Sequence, residues 1–409
     1  MADETFNFGS RIQGESTQPT GIQRAQLQYP LDAQSIQAIK RALEETSTFK
    51  TIQLEPREDI QRTMNKLSDE GGGIIQLAAG TYTLNNRLQM RSGIRIVGDH
   101  KSTTILDFNN TAANIVATGT NVYTTGTITS ITGGVTVTGS GTLWLANATA
   151  DQQFFIAHRW YTISSVNSDT SITLSEGYAG GATFPGAAYR IATVVRNIEF
   201  DEITLKNSTG TALDLDDCRS VFIDDCTVID NNKGIVADNC SEISSSKNIV
   251  TSQTSNGVEL NTCGLTNIKE TSTPANGGHG VVMNDVRLIT YWASASSSNT
   301  GDGVNITTAD EVTIQVDASS NTGQGVEVVS GATNLYFHEC NFSSNTSDGL
   351  KFTATTDECK IIGCQFDDGS AYGLNIAAAT CDNNIVSGCF FDNNTSGAIN
   401  DAGTGTVIE

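Results

Sequence analysis

Carboxylates crowd one stretch of this 409-residue chain. Glu199, Asp201, Glu202, Asp214, Asp216, Asp217, Asp224, Asp225, Asp230, Asp238 and Glu242 fall within it, with Arg219 and Lys233 close by. Paired carboxylates cleave glycosidic bonds as acid and nucleophile, or as acid and base when farther apart. Asp201, Asp214, Asp216, Asp225 and Asp238 are the candidates, because Asp214 and Asp238 are 24 residues apart and so are Asp201 and Asp225. The oxygens of Asp214, Asp216 and Asp238 are also hard ligands of the kind that hold Ca²⁺. The third reading is solvated acidic turns. A general acid needs neighbours that raise its pKa, and few apolar residues flank these positions. Aromatic residues offer binding chemistry instead. Trp144, Tyr291 and Trp292 are candidate glycan contacts, since exposed rings stack on sugar faces while buried rings are core. Adjacent strand residues face opposite ways, so one of Tyr291 and Trp292 points outward.

The elements that hold these residues follow from a repeat. Gly210, Gly234, Gly257, Gly280, Gly303, Gly325, Gly349, Gly373 and Gly397 recur at steps of 22 to 24 residues. After most of them comes a short alternating strand, as in Val258-Glu259-Leu260, Val304-Asn305-Ile306 and Leu374-Asn375-Ile376. A fixed period of this size means a repeat architecture. Strands this short and this cleanly alternating make each repeat one coil of a parallel β-solenoid. Four residues before the glycine sit Asp230, Gln253, Asn276, Asn299, Asn321, Asn345 and Asn393, which predicts a ladder of turn amides. Cys340, Cys364 and Cys389 keep the beat too, each with a phenylalanine two residues later, which predicts interior stacks of reduced thiols.

The Gly-Φ-x-Φ phrasing, Asn345-Thr346-Ser347-Asp348-Gly349 and Asn383-Asn384-Ile385-Val386-Ser387-Gly388-Cys389-Phe390-Phe391 resemble the right-handed parallel β-helix of the pectate-lyase-like superfamily. The segments 71–84 and 94–99 resemble its first coils. The resemblance implies an all-β, right-handed single-stranded β-helix, and that scaffold carries lyases, hydrolases and inert spikes alike. Gly278-His279-Gly280 and the Asp216-Asp217 or Asp224-Asp225 pairs are similar to polygalacturonase-like motifs. The Asn-Thr-Asp and Arg-x-Lys motifs of that group are missing, and Gly280 already belongs to the repeat, so His279 reads as a turn residue.

Four regions are expected. Residues 1–53 read as an N-terminal docking arm, with Asp32 capping a helix that carries Ile36, Ile39 and Leu43. Residues 54–116 read as a cap helix opened by Pro56, followed by the first coils. In 117–193 the beat stops and short strands follow at 8–12-residue spacing, which predicts an inserted small barrel or sandwich. The phrases Gly139-Ser140-Gly141-Thr142-Leu143-Trp144, Arg159-Trp160-Tyr161-Thr162-Ile163 and Asp169-Thr170-Ser171-Ile172-Thr173-Leu174 in this insert resemble a β-module of phage tail and virion proteins. Residues 194–409 read as the main β-helix.

A net charge of −22 argues against nucleic acid or an anionic membrane as partner. Neither a membrane-spanning run nor a signal peptide is visible, and the expectation is a virion protein that reaches the outside by lysis. Other virion proteins would bind through residues 1–53, and a homotrimer or another symmetric assembly would add avidity for a host surface polysaccharide. The expected function is a virion-associated, tailspike-like glycan-binding protein. The alternative is a polysaccharide depolymerase, hydrolase or lyase. No cofactor beyond Ca²⁺ is suggested.

Overall fold

The computed structural model describes residues 50–132, 134–178 and 183–409. The predicted arm helix lies outside the described residues. The rest is a parallel β-solenoid with three sheets and very little helix. Sheet A stacks Lys50–Leu54, Gly73–Leu77, Ile94–Gly98, Val195–Asp201, Cys218–Asp224, Ser241–Ser246 and Gly264–Lys269, and continues through the second halves of three long strands to Val407–Ile408. Sheet B runs from Leu88–Gln89 through Ile115–Thr118, Thr211–Asp216, Lys233–Asp238 and Val258–Asn261 to Gly397–Asp401. Sheet C is narrower. It begins with Gly80–Thr83 and Thr104–Thr111, thins to single bridges at Ser272 and Asn341, and ends with Phe390–Asp392. Every solenoid pairing is parallel, with neighbouring rungs about 4.8 Å apart.

Two devices close each coil. The first is glycine at the entry to sheet B. A Cβ on Gly303 would lie 2.6 Å from the Gly325 carbonyl oxygen and 2.6 Å from that of Ser296, so the beat marks close backbone approach. The second is a buried amide ladder. The side-chain oxygen on each rung accepts the backbone N–H of the rung before it: Asn231 N–H to Gln253 (3.0 Å), Gln253 to Asn276 (3.1 Å), Asn276 to Asn299, Asn299 to Asn321 and Asn321 to Asn345 (2.9 Å each). The ladder enters at Asn231 rather than Asp230, and the amide facing Gly369 is Asn394 rather than Asn393. Asp230 and Asn393 are exposed residues with positive φ, one step too early in their turns to face inward.

Stacked apolar residues fill the interior. Leu213, Ile235, Val258, Val281, Val304, Val326, Leu350 and Leu374 form one column behind sheet B. Each such burial contributes about 1.5–3 kcal/mol. Cys340 and Cys364 are buried, whereas Cys389 is half-exposed on a late rung; all nine cysteines are free thiols.

The cap helix spans Ile60–Asp69 and buries Ile60, Met64 and Leu67. Asp59, not Pro56, caps it by accepting the Arg62 N–H at 2.9 Å. Strand Lys50–Leu54 precedes it and pairs with Gly73–Leu77, so an arm boundary at 53 would cut through the first rung.

Between Ile115–Thr118 and Val195–Asp201 lies one eight-stranded antiparallel sheet with its own core of Ile128, Val137, Trp144, Phe154, Ile163, Ile172 and Ile191. The insert leaves from the corner between sheets B and A and packs back over it. Trp160 Nε1 donates to the Asn239 carbonyl at 2.7 Å, and His158 Nε2 meets Asp285 Oδ1 at 3.0 Å. Buried Arg219 donates to Gln153 and Glu176 of the insert and to Glu242 of the solenoid. Gly264 admits the contact, since a Cβ there would lie 2.3 Å from the His158 carbonyl oxygen.

Candidate functional site

The carboxylate cluster divides between two faces. On sheet B, strand alternation turns Asp214 and Asp216 outward together. Asp214 pairs in register with Val236, and Asp216 with Asp238. The expected match of Asp214 with Asp238 therefore fails, because this coil is 22 residues long rather than 24. Asp201 likewise pairs with Asp224, not Asp225. Asp225 sits one residue later, at a corner with positive φ, and binds Lys101 at 2.5 Å. Asp217 is fully buried under the insert and paired with Arg190.

The environments of the sheet B acids differ. Burial raises the Asp214 carboxyl, and Asp238 and Asp216 add to the effect; Arg87 and Lys233 oppose it. Burial also raises Asp238, together with Asp216 and Glu259, against a hydrogen bond from Asn261 at 2.8 Å. The expectation of too few neighbours to raise an acid is thus corrected for these two. Asp216 accepts from Asn239 at 3.1 Å. Among the described residues, no group of three His, Cys, Asp or Glu side chains is arranged to hold a metal ion, and Asp214, Asp216 and Asp238 form none.

His279 has a structural task. At the outer entry to sheet B, each side chain accepts the backbone N–H of the equivalent residue one rung on. Asn256 Oδ1 accepts from His279 (2.8 Å), His279 Nδ1 from Asp302 (2.9 Å) and Asp302 Oδ1 from Gln324 (2.8 Å). An Nδ1 that accepts leaves the ring proton on Nε2. Burial works to raise the Asp302 carboxyl. Hydrogen bonds from His279, Asn305 and the Gln324 N–H outweigh it and hold the group below its ordinary value. The His279 hydrogen bond to Asp302 is made when Nδ1 carries the ring proton and turns from the Asp302 N–H to Asp302 Oδ2, 3.2 Å away.

The aromatic candidates separate cleanly. Trp144 is core of the insert, donating to Tyr189 at 3.0 Å, and Tyr291 is core of the solenoid. Neither can meet a ligand. Trp292 faces outward on sheet A, half-buried. Two rungs on, His338 shares its column, and the two rings are nearly parallel, 14° apart with centroids 5.9 Å apart. Two rungs would separate upright side chains by about 9.6 Å, so the rings lean together across Gln315. Tyr336 adds a third ring 5.5 Å from His338, inclined by 30°. Tyr336 and His338 were not among the sequence candidates. The signal was present: Trp292 and His338 are 46 residues apart, two 23-residue coils.

Residues 279–409 match a family model described as a right handed beta helix region. No curated protein matches the chain. Solved structures share the fold. The A-module of mannuronan C-5 epimerase AlgE4 from Azotobacter vinelandii superposes with a TM-score of 0.59 at 16% identity, covering 86% of this chain and 94% of that one. The AlgE6 A-module from the same organism gives 0.57 at 15%, covering 86% and 94%. Tailspike gp49 of Pseudomonas phage LKA1 gives 0.45 at 13%, covering 85% and 74%. At these identities the likeness to the two A-modules concerns the fold alone.

Proposed function

We propose that this chain is a glycan-binding β-helix of the virion spike type, holding a host surface polysaccharide against the outer face of sheet A. The observation that carries the reading is the platform of Trp292, His338 and Tyr336. Three flat rings lean together at the edge of a strand face, beside the register shift that follows Tyr291, where alternation requires only solvated side chains. A pyranose presents an apolar C–H face to such rings, and its hydroxyls are left for polar neighbours. The virion setting rests on the resemblance of the insert to phage tail modules, and attachment is assigned to the residues before Lys50. Calorimetric titration with surface polysaccharides tests the reading. Affinity should fall at least about tenfold, or 1.4 kcal/mol, in Trp292→Ala and Tyr336→Ala. Equal binding by parent and variants would refute it.

A second reading, polysaccharide cleavage, is favoured by one observation: Asp214 and Asp238 are both raised beside Asp216. In that scheme a raised carboxyl donates its proton to the leaving oxygen and Asp216 acts as nucleophile or base. Release of new reducing ends that stops in Asp214→Asn and Asp216→Asn would establish it. An undiminished chain length would remove it.

A further inference from the structure

Resting on the glycan-binding reading, we infer that the sheet A platform takes a neutral, hydroxyl-rich pyranose chain and rejects polyanionic glycans. The outward columns carry the argument. One runs Thr290, Thr313, Tyr336 and Lys360; beside it Lys269 pairs with Trp292, and Gln315 and His338 each follow the paired Ile314 and Phe337. Of the described cations in these columns, Lys269 is already paired with Glu270 at 3.1 Å. Lys360 stands one rung beyond Tyr336, at the end of the stripe. Carboxylates line the edges. Glu339 is largely exposed at the corner beside His338 and accepts from Gln315 at 3.1 Å, while Asp310 and Glu311 hold Arg287 at 3.2 and 2.9 Å.

A uronate repeating along this stripe would set its carboxylates against Glu339 within the field of a chain of net charge −22. A neutral chain meets no such opposition. Its hydroxyls find acceptors in Glu339 and Gln315 and either role in Thr290 and Thr313. The stripe from Lys269 to Lys360 covers four rung steps, about 19 Å, which gives several sugar units one continuous seat.

The test is native affinity electrophoresis of the full chain through gels containing neutral polysaccharides (dextran, galactomannan, laminarin) or anionic ones (polygalacturonate, hyaluronate), at low and at physiological salt. Retardation by a neutral member is expected. It should be insensitive to salt and lost at least about tenfold in Trp292→Ala and Tyr336→Ala, and largely retained in Trp292→Phe, which keeps a ring and guards against misfolding. Retardation by polygalacturonate or hyaluronate that salt weakens would overturn the inference. If Trp292→Ala abolished that binding, the glycan-binding reading would stand and only the neutral class would fall. Neutral binding indifferent to all three variants would overturn the placement on sheet A. No binding to any member would overturn the inference together with the reading beneath it. Sedimentation of parent and Trp292→Ala completes the set: a drop in mass would make the stripe a contact between copies and overturn it as a sugar seat.

Discussion

Replacing Asn321 by alanine removes the centre of the buried amide ladder. Its Oδ1 accepts the Asn299 backbone N–H at 2.9 Å and Asn299 Nδ2 at 3.1 Å, and its Nδ2 donates to the Ser296 carbonyl at 3.1 Å. Asn321 and Asn299 are at most 1% exposed, so water cannot replace these partners. The Asn299 N–H, Asn299 Nδ2 and the Ser296 carbonyl would be left without this partner. Each stripped buried group costs about 1–3 kcal/mol, which gives roughly 6 kcal/mol for the three. In a solenoid the loss is borne by adjacent rungs, because each coil touches only its neighbours. Hydrogen exchange followed by mass spectrometry should therefore show faster exchange across about 281–352 and unchanged protection at Ile94–Gly98. The control, exposed Asn393→Ala, should stay within about 0.5 kcal/mol of the parent. If Asn321→Ala lost less than about 1 kcal/mol by denaturant unfolding, or loosened all rungs equally, the ladder argument would be wrong.

Gly303→Ala should destabilise by about 1–3 kcal/mol or abolish folding, since the added carbon has two carbonyl oxygens 2.6 Å away; denaturant titration reads it. Thiol titration of freshly unfolded protein should find nine free thiols, and in the folded state Cys389 should react first, as the one cysteine not fully buried. Asp302 has a lowered carboxyl pKa in the folded state. Its contribution is complete above the ordinary carboxylate value and is lost as pH falls through the lowered one. Exchange at 279–305 should therefore quicken in acid, and less so in Asp302→Asn.

The coil beat was legible because glycine cannot be replaced where one rung's carbonyl meets the next, so the constraint recurs with the period. Register within a coil was less legible. Asp214 and Asp238 keep a 24-residue spacing, yet the turn between them is short enough that Asp216 pairs with Asp238 instead. Asp230 and Asn231 differ by one position, and only the fold decides which faces inward. Trp144 was ambiguous because a ring in the core and a ring on a ligand are the same residue until the surrounding strands are placed. Tyr336 and His338 were readable in principle from Trp292 by counting coils. The place of His279 in the repeat is readable from Gly280, but its service as a ladder acceptor shows only once the coils are stacked.

The most direct measurement of the central claim uses the chain's own tryptophans. Trp144 and Trp160 are fully buried, and Trp292 alone reaches the surface. Acrylamide should quench one tryptophan component of the folded protein, and that component should vanish in Trp292→Phe. Saturating polysaccharide should protect it, because the sugar covers the ring. Polysaccharide that binds and leaves the quenching of Trp292 unchanged would contradict the account.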